Sequence, residues 1–176
     1  FSVTAPDDLK GKRPYFQRAD VIQPAVFSVI GGVGGVPLNV PEVLPNLNTG
    51  AINVVMAPCL VAEQLQWAGK LDQLNDAPIA PMIGAIVLGS KAYNALSADA
   101  QALLADGAGA AASALTTRIR SDDDAAFGRL KGKMTVSTPS ADERTKWDGV
   151  FKAARQKLAQ ETFSSDLVRR IEGYGK

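Results

Sequence analysis

Apolar and polar positions alternate along this chain in two registers. A 3.6-residue period recurs in its second half, and short β-rich runs punctuated by Gly and Pro recur in its first. The stretch Lys12 to Gln17 predicts a short strand, followed by a helix from about Asp20 to Ile30 in which Pro24 is tolerable only near the first turn. Gly31, Gly32, Gly34 and Gly35 come next, where glycine supplies the left-handed conformation that ends a helix. "VPLNV" predicts a short strand, and Pro41-Glu42 opens a second short helix stopped by Asn48-Thr49-Gly50. "AINVVMA" (51–57) predicts a buried strand, Leu60 to Gly69 a helix carrying Trp67, and "IAPMIGAIVL" (79–88) a further buried strand.

Ser97 caps a long helical tract, with Asp99 favourably placed in its first turn. Its apolar stripe is Leu104, Ala108, Ala111, Leu115 and Ile119, resumed by Phe127 and Leu130. A bend or interruption is expected near Ser121, where "SDDD" breaks the stripe. "MTVS" predicts a strand, and the Ser140 to Glu143 capping pattern opens a helix faced by Trp147, Val150, Phe151, Ala154 and Leu158. Ser165 to Ile171 predicts the closing helix. Strands alternating with helices across brief loops predict an α/β fold.

Composition narrows what such a fold does. The chain has 176 residues, 46% of them hydrophobic, enough for a real core. A formal charge of +1 supplies no general field for nucleic acid or an anionic membrane. Histidine is absent, which removes the usual base of a Ser or Cys hydrolase and the commonest transition-metal ligand. Cys59 is the only cysteine, so neither an internal disulfide nor a thiolate zinc site is available; in its apolar run it reads as a packing residue. Asp122, Asp123 and Asp124 diverge on a helix and read as a solvated break rather than a metal site. Asp142, Glu143 and Asp148 read as a solvated face, and Trp67 and Trp147 as core. Phe1 opens the chain with neither an initiator Met nor a signal sequence, so the chain reads as processed or truncated. No nucleophile paired with a base, metal cluster or cofactor loop is found, and no enzyme, cofactor or metal is expected.

The glycines raise a nucleotide question. A phosphate loop or dinucleotide fold sets its glycines between a strand and a helix N-terminus, where N–H groups meet phosphate. Here they follow a helix and precede a strand, and a cap with a tight turn is the expected role.

The continuation, "GVPLNVPEVLPNLNTGAIN" (35–53), resembles the signature of TRAP transporter solute-binding proteins, the DctP-like, family 7 extracellular receptors. That pattern is Gly-x-x-Pro-x-x-x-x-Glu-x-x-x-x-Leu-Gln-x-Gly-x-x-Asp-Gly, matched at Pro37, Glu42, Leu47, Thr49, Gly50, Ala51 and Ile52. "DDLKGK" (7–12) looks like the segment before the first strand of the family's second lobe, and "SKAYNALSADAQALL" (90–104) is similar to its entry into a long helix. The resemblance implies a periplasmic-binding-protein-like lobe with a short mixed sheet flanked by helices, plus a long helix belonging to or bridging to a second lobe. It divides the chain into an α/β lobe (1–88), a bridging helical tract (89–131), and a strand with helices returning to the lobe (132–176). It also implies a periplasmic receptor that takes a small organic solute in an interlobe cleft and delivers it to integral membrane transporter subunits.

Family receptors fix a substrate carboxylate with an arginine shortly after the "LKG" and an asparagine after the "DG", a planar guanidinium giving two parallel hydrogen bonds. Those positions fall here on Tyr15 and Ala57, and Asn53-Val54 replaces the Asp-Gly pair. Arg18 is the cation that a small shift of register brings to the cleft, its alternative being a solvated arginine at a helix start. Tyr15 stacks on or bonds to a ligand, or is an ordinary strand residue. With Val55, Met56 and Ala57 as an apolar wall, the expected ligand is something other than a simple carboxylate, larger or more apolar. Family members carry most of a first lobe ahead of the "LKG", so this chain is expected to own one wall of the cleft, and apolar surface left open makes a homo-oligomer an option. A non-transporting interaction module, such as an accessory part of an envelope or efflux assembly, is the alternative.

Overall fold

The computed structural model describes residues 1–174. Four three-residue strands form two parallel pairs: β1 (Tyr15–Gln17) with β2 (Val36–Leu38), and β3 (Gln73–Asn75) with β4 (Thr135–Ser137). The register sets Tyr15 beside Val36 and Gln17 beside Leu38 in the first pair, and Gln73 beside Thr135 in the second. Around them stand helices α1 (Ile22–Ile30), α2 (Val40–Asn48), α3 (Cys59–Gln64), α4 (Ser90–Asn94), α5 (Ala98–Lys131), α6 (Ala141–Glu161) and α7 (Ser165–Gly173).

Side chains placed at the helix starts fix where they begin. The Asp20 carboxylate accepts from Ile22 N at 2.7 Å, opening α1 just ahead of Pro24. Asn39 N donates to Glu42 Oε2 at 2.7 Å to open α2, and Ser140 and Glu143 exchange bonds of 2.7 and 3.3 Å at the start of α6. Gly31 closes α1 at φ +73°, its N–H donating to Phe27 O at 2.9 Å, as a helix-ending glycine should. Gly35 is glycine for a different reason: a Cβ there would stand 2.8 Å from a Phe27 ring carbon and 3.3 Å from one of Phe16.

Two apolar clusters sandwich the first sheet. Tyr15, Leu38, Val43, Leu47, Ile52, Ala62 and Trp67 form one, with Trp67 only 3% exposed. Leu9, Ala25, Val26, Phe27, Ala154 and Leu158 form the other, joining α1 to α6. The alternation of side chains along a strand produces this division. Tyr15 and Val36 face the first cluster, and Phe16 the second.

Several expected elements differ. The predicted strand 51–57 reduces to a single parallel bridge, Pro14 to Val54, held by Tyr15 N to Val54 O at 2.9 Å and Asn53 N to Arg13 O at 3.1 Å. Pro14 lacks a donor, and Pro58 ends the extended segment. The helix expected to run through Trp67 stops at Gln64, because Gln66 adopts φ +61°; a 3-10 turn follows at Ala68–Lys70. The predicted strand 79–88 has no partner: a strand needs an edge to pair with, and this run lies extended and exposed. The long helix is continuous, with no break at Ser121. Asp122 bonds Arg118 one turn back at 2.8 Å, and Asp123 Oδ1 accepts from Leu60 N at 2.7 Å, capping α3. The second pair's β3 had no apolar run to announce it.

Candidate functional site

The first sheet's carboxyl edge is where an open parallel α/β sheet presents a ligand crevice. β1, β2 and the segment bridged at Val54 run parallel, so their carboxyl ends lie on one side, at Arg18, at Asn39 and at Ala57. α2 leaves β2 directly, bringing Glu42 to this edge.

Tyr15 is 6% exposed and packs edge to face on Trp67, ring centroids 5.9 Å apart. Burial, and secondarily the charge of Asp20, push its phenol pKa upward, so it is a neutral hydroxyl at physiological pH. Val55 and Ala57 lie on the same face as Tyr15, whereas Val54 and Met56 pack into the opposite cluster with Phe16 and Phe27. The structure therefore gathers Tyr15, Val55 and Ala57 on one side of the sheet and sets Met56 behind it.

Arg18 stands at the end of β1, its N–H donating to Leu38 O at 3.1 Å. Its guanidinium reaches Glu42 at 3.3 Å, and the pair is about half exposed. Glu42 Oε2 also accepts from Asn39 N, and this bond, with Arg18 in second place, lowers the Glu42 pKa. The cation at this edge is already matched by a carboxylate.

Two polar contacts escaped sequence reasoning. Arg13 donates to Gly50 O at 2.6 Å and Ala51 O at 3.0 Å, and its N–H to Asn53 Oδ1 at 2.8 Å, clamping the turn after α2. A basic residue wanted by the open carbonyls of a helix C-terminus was the available signal. Arg129 forks onto Glu63 at 2.8 and 2.5 Å, docking the last turns of α5 on α3. Cys59 opens α3, half-buried; burial, then Asp123 and Glu63, raise its pKa and keep it a thiol.

Beyond that dock the chain stands open. The segment 79–88 and most of the first 23 residues of α5, before Ser121, are exposed, with Gln101 Nε2 donating back to Tyr93 O at 3.0 Å and Leu96 O at 3.2 Å: Ile83 is 88% and Ile86 92% exposed, and Leu104, Leu115 and Ile119 are about half exposed.

Helices sandwiching a small parallel sheet, with a long helix leaving the body, make a lobe of the periplasmic-binding-protein kind. The model of the bacterial extracellular solute-binding proteins, family 7 (DctP), matches residues 2–162, and the chain belongs to that family. Among solved structures, the periplasmic ectoine-binding protein of the TeaABC TRAP transporter of Halomonas elongata superposes with a TM-score of 0.82 at 17% identity, over 98% of this chain and 57% of that one. A TRAP periplasmic solute-binding protein from Bradyrhizobium sp. BTAi1, complexed with galacturonate, gives 0.81 at 21% identity, over 98% and 57%. One from Shewanella oneidensis with bound succinate gives 0.82 at 16% identity, over 96% and 55%. At these identities the likeness speaks for the fold alone, and the chain spans little more than half the length of each. No curated protein matches it by sequence.

Proposed function

We propose that this chain supplies one lobe of a periplasmic solute receptor, which takes a small organic solute at the carboxyl edge of the first sheet and hands it to integral membrane transporter subunits. Family membership supports the receptor reading. The observation that carries the choice of site is the convergence of Tyr15, Val55 and Ala57 on one sheet face, with Arg18 at the adjoining strand end. Met56 supports that wall from behind.

The solute differs from a simple carboxylate. The position that takes the family's clamping arginine holds a buried, neutral phenol, and the nearest cation, Arg18, is already paired with Glu42. A small dicarboxylate would have to take Arg18 from Glu42 and be desolvated without a second strong donor. A larger, more apolar solute uses the half-buried Val55 and Ala57 instead, with the buried Tyr15 behind them. The receptor performs no chemistry on it: binding shifts an open form toward a closed one that docks on the membrane subunits, by as much as the solute prefers the closed form.

Isothermal calorimetry with succinate, malate, a sialic acid and a series of larger, less charged solutes tests this. Micromolar binding of malate or a sialic acid would refute the solute class. For a solute that binds, Ala57→Asp, which sets a charge on the apolar wall, weakens affinity about tenfold or more, while Arg18→Ala moves stability by under about 1 kcal/mol, as for exposed ion pairs.

A further inference from the structure

We infer that Arg13 sets the register of the segment that walls the proposed site: with Asn53, it decides that Val55 and Ala57, and not Met56, lie on the Tyr15 face. Arg13 acts through that segment and is a positioning residue, and its bearing on the solute rests on the reading of Val55 and Ala57 as the wall.

The segment needs such a residue because little else holds it. Val54 pairs with β1 through a single parallel bridge to Pro14, whose nitrogen has no proton to donate. The bonds at that bridge are Tyr15 N to Val54 O at 2.9 Å and Asn53 N to Arg13 O at 3.1 Å. Among the described residues, no backbone bond ties Val55, Met56 or Ala57 to β1. So sparse a pairing specifies register weakly, and a slip of one residue turns every side chain to the other face. Here that slip would bring Met56 onto the Tyr15 and Trp67 cluster and send Val55 and Ala57 toward Phe27.

Arg13 supplies what the ladder lacks. Its Nε donates to Ala51 O at 3.0 Å and its Nη2 to Gly50 O at 2.6 Å, so one planar fork grips two successive carbonyls. Its own N–H donates to Asn53 Oδ1 at 2.8 Å, and Asn53 N answers it through Arg13 O. The residues on either side of Asn53 are Ile52 and Val54, which carry no side-chain acceptor. A slip in either direction therefore leaves the Arg13 N–H without that partner, and only one register satisfies it. Among the described residues no carboxylate pairs with Arg13, so its charge is spent on these carbonyls.

The test is amide hydrogen exchange with methyl-labelled methionine spectroscopy, on the protein without solute. Arg13→Met keeps the aliphatic stem and removes the fork. The Tyr15 and Asn53 amides should then exchange about tenfold or more faster, the worth of a charge-assisted hydrogen bond. The Val36 and Arg18 amides, which bond Pro14 O and Leu38 O in the β1–β2 pair, should keep their parent rates. The Met56 methyl should gain a nuclear Overhauser contact with the Trp67 ring. Arg13→Lys, with one donor group for two carbonyls, should recover part of the protection. Asn53→Leu should repeat the effect and Asn53→Asp, which keeps an acceptor oxygen, should not; a role in packing alone does not separate those two. Parent rates at Tyr15 and Asn53 in Arg13→Met, equal acceleration at Val36 and Arg18, or a Met56 methyl that stays with the Phe27 cluster would each overturn the inference. Because every reading is made without solute, a parent protein that binds nothing in calorimetry counts against the receptor reading alone.

Discussion

Trp67→Ala is the perturbation that most directly tests the account of the core. Trp67 is 3% exposed, packs edge to face on Tyr15, and belongs to the cluster that also holds Leu38, Val43, Leu47, Ile52 and Ala62. Truncating a buried tryptophan costs about 3–5 kcal/mol from lost transfer energy and the cavity left behind, of which the aromatic pair is about 0.5–1.5 kcal/mol. With a urea slope of about 2 kcal/mol per molar, that moves the midpoint down by roughly 2 M. The assay has an internal reporter: Trp147, the only other tryptophan, packs against the opposite cluster, stacked on Phe151 with its Nε1 donating to Thr4 O at 2.9 Å. Because both clusters clasp the same strands, Trp147 fluorescence should report the full shift in a single transition. A loss under about 1 kcal/mol, the range of an ordinary surface substitution, would refute the packing. A Trp147 transition that stays put while circular dichroism shows early melting would refute the coupling of the two clusters.

Gly35→Ala should destabilise by about 1–3 kcal/mol, as overpacking does, because its Cβ collides with Phe27 2.8 Å away; thermal melting that matches the parent would show the ring gives way. Glu143 has its pKa lowered from the ordinary 4.5 to about 2, chiefly by the Thr4 hydroxyl at 2.6 Å and then by the Ser140 N–H. A carboxyl lowered on folding stabilises above its unfolded value, so its contribution is complete above pH 4.5 and is lost as pH falls toward 2. Glu143→Gln should flatten the acid limb of a stability-against-pH curve in that window, and an unchanged limb would contradict the assignment. Asp123→Ala should cost about 0.5–2 kcal/mol as a lost helix cap, with Asp123→Asn recovering much of it; urea curves of the two variants decide.

The elements legible in the sequence are those whose signal is local. The α6 stripe from Trp147 to Leu158, the Ser140 capping pattern and the glycine that ends α1 each needed only their own neighbours, and each stands where expected. What was misread depends on distant partners. Gln66 takes a left-handed turn without being glycine, so nothing local announced that Trp67 leaves the helix. Asp123 reads as one of three surface acids because its partner, Leu60 N, lies 63 residues away in sequence. The 79–88 run reads as buried from composition alone, but nothing in the described structure pairs with it. For the proposed site, the apolar character of Val55 to Ala57 was legible, and the period of two along that segment is what sets Met56 on the opposite face from its neighbours.

The Asp123 contact also joins the proposed site's neighbourhood to α5. α5 is one unbroken helix of 34 residues, about 50 Å long at 1.5 Å per residue. Its last turns are fixed to α3 by the Arg129 fork, and Asp123 holds the first turn of α3 at Leu60. That turn begins two residues after Ala57, where the site segment ends. The joint is polar and shallow, with only Ala126 and Leu130 of α5 buried, so it yields more readily than either core cluster.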